Sequence, residues 1–214
     1  AAAHEFQVPW VALTDTSVET PSPPPGTVLR RGEEAVTEFL GTADYDTVLC
    51  ASSGTVAVPW VVTALERGKR VCLANKESIL VGSLLLDEVL ERGSGGEILP
   101  VDSEHSAIYQ TILGVRHHDI AQCELTASGG PFLRTPLEAL KRVTPREAVR
   151  HPRWSMGRKI SVDSATLMNK ALEFIEAHWL FSLEEHQIQV TIHPQSIIHS
   201  AVLLHDGSRI AQLS

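Results

Sequence analysis

Thr47-Val-Leu-Cys-Ala-Ser52, Arg70-Val-Cys-Leu-Ala-Asn75 and Glu97-Ile-Leu-Pro-Val-Asp102 are three short apolar runs, each bounded by polar or turn-forming residues. Between them lie segments with helical spacing, Thr55–Arg67 and Glu77–Arg92, the second closed by Gly93. Pro59 is tolerable in such a helix only near its first turn, where the missing N–H costs little. Strands joined by helices of this length predict a parallel sheet with helices on its faces. Upstream, Val8–Leu13 is a short apolar run, Pro21–Gly26 a stiff linker or surface turn, and Gly32–Leu40 a helix. Downstream, Ser103–Gly114 reads as a further helix.

The second half changes character. Ile120–Ala127 is a predicted strand and Ser128–Gly130 a turn. Leu137–Arg150 gives one or two short helices, with Thr144 capping ahead of Pro145. His151–Lys159 reads as a loop and Asp163–Phe181 as one long helix. Gln187–Ile192 and Ile198–Leu204 alternate like strands, and Asp206-Gly207 turns into Ser208–Leu213 as a hairpin. The fold class is therefore α/β, grading into an α+β second part near residue 100. No Gly-x-Gly-x-x-Gly occurs, and Gly93-Ser-Gly-Gly96 precedes a strand, which makes it a helix stop. The chain reads as the middle of a larger protein, without the first βα unit a dinucleotide-binding sheet needs.

With 214 residues, 43% of them hydrophobic and 21% charged, the composition is that of a globular protein. It excludes collagen, a disordered tail and a disulfide scaffold. No run of 18 apolar residues occurs, so no membrane span is expected, and the N-terminus lacks a secretory signal pattern. Three widely spaced cysteines, Cys50, Cys72 and Cys123, fit reduced thiols and a cytoplasmic location. A net charge of −8 argues against nucleic acid as a partner. Residues 129–170 nevertheless hold nine Lys/Arg against three acids, either a solvated basic face or an anion site.

Four groups of residues carry candidate chemistry. Asp102 and Glu104 stand at the carboxyl end of a predicted strand, where α/β sheets place ligands. Two carboxylates there suit Mg²⁺ or Mn²⁺, or else cap the next helix and face its dipole. Thr166, Asn169, Lys170 and Glu173 share one stripe of the long helix, against Leu167, Ala171, Phe174, Ile175 and His178 on the other side. That stripe faces water or lines a wet pocket; in a pocket, Glu173 is a third ligand. Ser128-Gly129-Gly130 with Ser164, Asn169 and Lys170 forms an anion cradle or, taken singly, a plain turn. Trp154 and Met156 in the loop after His151 are satellite core or a lid. His193 and His199 sit in strands near the end, a position more often structural, while Lys76 follows a strand at a sheet carboxyl end.

Six blocks, in order, resemble one family. They are Ala74-Asn-Lys-Glu-Ser78, Pro100-Val-Asp-Ser-Glu-His105, Ala127-Ser-Gly-Gly-Pro-Phe132, His151-Pro-Arg-Trp-Ser-Met-Gly-Arg-Lys-Ile-Ser-Val-Asp-Ser-Ala-Thr166, Met168-Asn-Lys170 and His193-Pro-Gln-Ser-Ile-Ile-His-Ser200. The sequence from about Thr47 to Ser214 is similar to the 1-deoxy-D-xylulose 5-phosphate reductoisomerases. The resemblance implies a truncated Rossmann-like NADPH-binding domain over residues 1–101 and an α+β catalytic domain over residues 102–214. It implies NADPH- and Mg²⁺- or Mn²⁺-dependent rearrangement and reduction of a ketose phosphate in non-mevalonate isoprenoid synthesis, by a cytoplasmic homodimer acting on neither nucleic acid nor membrane. On that pattern Asp102, Glu104 and Glu173 hold the metal. Ser128, Ser164, Asn169 and Lys170 hold the phosphate, and Ser103, His151 and His199 touch the substrate. Trp154 and Met156 belong to a closing loop, and Ala74, Asn75, Lys76 and Glu77 face the cofactor. Lys76, Glu104, His151 and His199 are its candidate catalytic groups. Leu133 stands where the family has Arg, with Arg134 beside it. The absent glycine-rich motif keeps two alternatives open: a metal-dependent phosphosugar isomerase or aldolase without redox chemistry, and an inactive structural piece.

Overall fold

The computed structural model describes residues 2–20, 22–151 and 155–213. The chain divides into two compact units, residues 1–99 and 100–214.

In the first unit a short helix α1 (Ala2–Glu5) precedes strand β1 (Trp10–Leu13), which pairs in parallel with β2 (Val28–Arg31). Helix α2 (Glu34–Thr42) follows. Strand β3 (Thr47–Cys50) pairs in parallel with β4 (Arg70–Leu73), and β4 is flanked on its other side by β5 (Glu97–Pro100). Helix α3 (Val58–Glu66) connects β3 to β4, with Pro59 in its first turn and Val61, Ala64 and Leu65 buried at helical spacing. Helix α4 (Lys76–Glu91) connects β4 to β5 and buries Ile79, Gly82, Leu86 and Val89. The glycine sets the distance between the helices: a Cβ on Gly82 would stand 3.2 Å from Val58 Cγ1. These elements match the strand–helix alternation of the sequence. Strand β2 and helix α1 escaped it, because β2 ends in two arginines and exposes three of its four residues.

The second unit begins with helix α5 (Ser103–Ile112), followed by strand β6 (Ile120–Ala127). Four helices come next: α6 (Leu137–Leu140), α7 (Pro145–Ala148), α8 (Arg158–Ala165) and α9 (Met168–Phe181). Thr144 caps α7 through a reciprocal capping box with Glu147. Strands β7 (Ile188–Ile192), β8 (Ile198–Leu204) and β9 (Arg209–Leu213) complete a sheet of order β7-β6-β8-β9. The β6–β7 pair is parallel and the other two are antiparallel. A parallel pair needs a crossover, and α6 to α9 supply it. The core joins Ile108, Ile120, Cys123, Leu125, Ala177, Phe181, Leu183, Ile188 and Val202. All three cysteines are free thiols, and burial pushes Cys123 up to about 12, with the Glu124 charge adding to it. No described helix is long and apolar enough to cross a membrane.

Two expectations are corrected here. The segment Asp163–Phe181 is not one helix. Leu167 adopts φ 59°, ψ 7°, which ends α8 and starts α9. Thr166 therefore leaves the predicted stripe; it is exposed, and its hydroxyl donates to the carbonyls of Val162 and Asp163 at 3.1 and 3.2 Å. The loop predicted over His151–Lys159 also ends early, since α8 starts at Arg158. The break lets the turn after β6 approach α8: a Cβ on Gly130, at φ +69°, would stand 2.6 Å from the Ser164 carbonyl oxygen. Gly130→Ala combines a left-handed backbone with that backbone clash, and should cost about 1–3 kcal/mol of unfolding free energy. Urea denaturation measures this, and an unchanged midpoint would contradict the packing.

Candidate metal and phosphate site

The second unit gathers its polar side chains at one end of β6. The β6–β7 pairing ends at Ala127 opposite Ile192, and the His193 amide donates to the Ala127 carbonyl at 2.7 Å. The loops after β6 and β7 thus emerge together. One pocket there is lined by Asp102, Ser103 and Glu104 from the start of α5, Thr126 to Ser128, His151, Met156, Ile160, Ser164, Leu167, Asn169, Lys170, Glu173, Ser196, Ile198 and His199.

Carboxylate oxygens of Asp102, Glu104 and Glu173 lie within 4.8 Å of one another. Asp102 occupies the N-cap position of α5, but its side chain makes no capping hydrogen bond. The Ser103 hydroxyl donates to Glu104 Oε2 at 2.8 Å. Glu173 is almost wholly buried, a position carboxylates occupy only when paired. Lys170 Nζ forms an ion pair with Glu173 and lies 3.4 Å from Glu104 Oε1. The Asn169 amide donates to Glu173 Oε1, while buried Asn169 Oδ1 accepts no hydrogen bond among the described residues.

This group fits a hard divalent cation. Three converging carboxylates form an all-oxygen donor set of the kind Mg²⁺ and Mn²⁺ prefer. One ammonium leaves most of their negative charge unbalanced, and the Lys170 ammonium already stands where positive charge is wanted. Helix α9 turns its polar residues inward to do this: Lys170, Glu173 and Glu176 are buried while Met168, Ala171 and Ile175 are exposed. Of the two readings of the stripe, the pocket holds.

The candidate phosphate donors surround the same pocket. Ser128 Oγ accepts from the Gly130 amide at 3.2 Å and lies 3.0 Å from His151 Nε2. Ser164, Asn169 and Lys170 line the wall formed by α8 and α9. Thr126 Oγ1 lies 2.6 and 2.9 Å from the carbonyl oxygens of Ile198 and His199, which ties β8 and His199 to β6. Met156 reaches the pocket, and Trp154 lies outside the described residues. His193 is structural, its Nε2 accepting from the Ile197 amide at 3.1 Å.

Sequence reasoning missed Thr126, Ile160, Leu167, Ser196 and Ile198 as pocket residues. Leu167 and Ser196 both adopt positive φ, a conformation that neither residue type announces. Glu176 and His105 were missed too. His105 is enclosed between Asp102 and Glu176. Burial pushes its imidazole down, but hydrogen bonding and charge from Asp102, charge from Glu176 and the Glu173 carbonyl outweigh that and hold it above its ordinary value.

Ala74, Asn75, Lys76 and Glu77 belong to the first unit, at the carboxyl end of β4. Asn75 caps α4 by accepting from the Ser78 amide at 2.7 Å. Its amide donates to the carbonyls of Ser52 and Gly54 at 2.7 and 3.0 Å, which pins the loop after β3 to the start of α4. Lys76 is buried in the first turn of α4. A loop and helix start at the ends of adjacent parallel strands is where such sheets hold nucleotide cofactors.

Two domain descriptions of one family match the chain: "1-deoxy-D-xylulose 5-phosphate reductoisomerase" over residues 3–83, and the "C-terminal domain" of the same enzyme over residues 98–181. The reductoisomerase of Shewanella halifaxensis is 48% identical over 192 residues, covering 85% of this chain and 48% of the relative. That of Chlorobaculum tepidum is 50% identical over 182 residues, covering 85% and 47%. A crystal structure of DOX-P reductoisomerase in complex with NADPH, fosmidomycin and magnesium superposes with a TM-score of 0.87 at 40% identity, over 99% of this chain and 55% of that one. The Zymomonas mobilis enzyme in complex with NADPH gives 0.85 at 37% identity, with the same coverage. The chain spans about half the length of the curated relatives it matches.

Burial pushes the His151 imidazole below its ordinary value of 6.5. Neutral His151 thus contributes stability above pH 6.5, which is lost as pH falls from there through the lower folded value. An NMR titration of His151 should give a midpoint below 6.5; a midpoint above it would contradict the burial argument.

Proposed function

The chain belongs to the 1-deoxy-D-xylulose 5-phosphate reductoisomerase family, and from that premise we propose that it carries the metal- and phosphosugar-binding part of an NADPH-dependent reductoisomerase. The substrate is 1-deoxy-D-xylulose 5-phosphate and the product 2-C-methyl-D-erythritol 4-phosphate. The convergence of Asp102, Glu104 and Glu173 beside a pocket of hydroxyl, amide and ammonium donors carries this reading. In it the three carboxylates would hold Mg²⁺ or Mn²⁺, which when bound would supply a Lewis acid for the ketose oxygens and for the charge that C–C cleavage develops.

The chain's own residues do the remaining work. Ser128, Ser164, Asn169 and Lys170 bind the phosphate, far enough from the breaking bond to hold the fragments in place while they recombine. Ser103, His151 and His199 contact the sugar, and the Ser128 hydroxyl stands 3.0 Å from His151 Nε2. Met156 and Trp154 belong to a loop that excludes water from the reactive aldehyde. Ala74, Asn75, Lys76 and Glu77 face NADPH, the source of hydride. Lys76, Glu104, His151 and His199 are the groups assigned to the chemistry. We assign residues 1–101 to cofactor binding and residues 102–214 to catalysis.

The substrate is a small phosphosugar, with neither nucleic acid nor membrane involved, and the protein works in the cytoplasm as a homodimer. The exposed side chains of Ile210 and Leu213 on the outer strand β9 support self-pairing.

Glu173→Gln should lower kcat by roughly 100-fold or more while leaving the circular dichroism spectrum unchanged. The assay is NADPH oxidation by the full chain with the ketose phosphate and metal. An unchanged rate at saturating Mg²⁺ would overturn the metal assignment.

A further inference from the structure

Behind the three carboxylates lies a second, fully buried layer that none of the roles above uses. His105 follows Glu104 on α5 and is 0% exposed. Its Nε2 lies 2.9 Å from the backbone carbonyl oxygen of Glu173. Its Nδ1 lies 3.5 Å from Asp102 Oδ2 and 4.0 Å from Glu176 Oε2. One ring therefore touches both helices that deliver the carboxylates. Glu176 sits three residues beyond Glu173 on α9, 4% exposed, and its carboxylate closes a second cluster with Asp102 and His105.

That cluster is not a second cation site. The imidazole Nε2 faces a backbone carbonyl at hydrogen-bond distance and Nδ1 faces two carboxylates at ion-pair distance, so the ring is enclosed by acceptors rather than open to a cation. Ser200 adds a strut from the sheet, its hydroxyl donating to the Glu104 carbonyl at 3.0 Å. Backbone of two carboxylate-bearing residues and the side chain of the third are thus held from behind.

We propose that His105 and Glu176 are positioning residues for the metal centre. Glu176 fixes the orientation of the His105 ring, and the ring holds the Asp102 carboxylate and the Glu173 backbone at the separation one divalent cation requires. Metal sites depend on such outer partners, whose loss typically weakens metal binding 10- to 100-fold. This inference rests on the metal reading above.

The test is a Mn²⁺ titration of the full chain, followed by electron paramagnetic resonance, on wild type, Glu173→Gln, Glu176→Gln, His105→Asn and the His105→Asn/Glu176→Gln double variant. Wild type should bind one Mn²⁺ and Glu173→Gln should lose it. Glu176→Gln should bind about 10- to 100-fold more weakly, with turnover recovered by excess Mn²⁺, which a merely misfolded variant would not show. The double variant should bind no more weakly than His105→Asn alone, because both changes act through one ring. If Glu176→Gln does not fold, Glu176→Asp takes its place in the same titration. Unchanged affinity in the Glu176 variant, with Glu173→Gln impaired, overturns this proposal alone. Absent Mn²⁺ binding in wild type, or an unaffected Glu173→Gln, overturns the metal reading and this proposal together.

Discussion

Like charges brought out of water repel, and this chain packs three carboxylates into one partly enclosed pocket. Asp102, Glu104 and Glu173 come within one coordination sphere of each other, with Glu173 almost wholly buried. Such a group persists only when positive charge meets it. Lys170 meets part of that demand, pairing with Glu173 and approaching Glu104. In the proposed reading the remaining negative charge draws a divalent cation, and the hydroxyl, amide and ammonium donors proposed for the phosphate line the same pocket.

The fold serves this constraint through a few local decisions. The parallel β6–β7 pair forces a long crossover, and that crossover brings α8 and α9 to the carboxyl end of β6. Leu167 breaks the helix in two, so that Ser164 and Asn169 belong to different axes yet line one pocket. Gly130 lets the turn after β6 press against the Ser164 carbonyl. Ser200 and His105 tie the backbones of Glu104 and Glu173 to their neighbours.

Much of this was legible in the residues. The apolar runs and their spacing marked most strands of both units, though not β2, and five of the six sequence blocks line the pocket, while Ala74–Ser78 lies in the first unit. Asn169 stands in the first turn of α9 rather than in mid-helix, and its side-chain amide donates to Glu173 Oε1. Three things were hidden. The Leu167 kink has no sequence mark, since leucine is an ordinary helix former. Helix α9 buries Lys170, Glu173 and Glu176 as well as the core residues Ala177 and Phe181, and it leaves Ile175 exposed. Glu176 carries no mark in the sequence, and its place beside a buried histidine distinguishes it.

The central claim is that Asp102, Glu104 and Glu173 grip one divalent ion. Anomalous diffraction from crystals of the protein grown with Mn²⁺ tests it most directly. A single strong peak is expected among the three carboxylates. A peak bound elsewhere, or none among these side chains at saturating Mn²⁺, would contradict it.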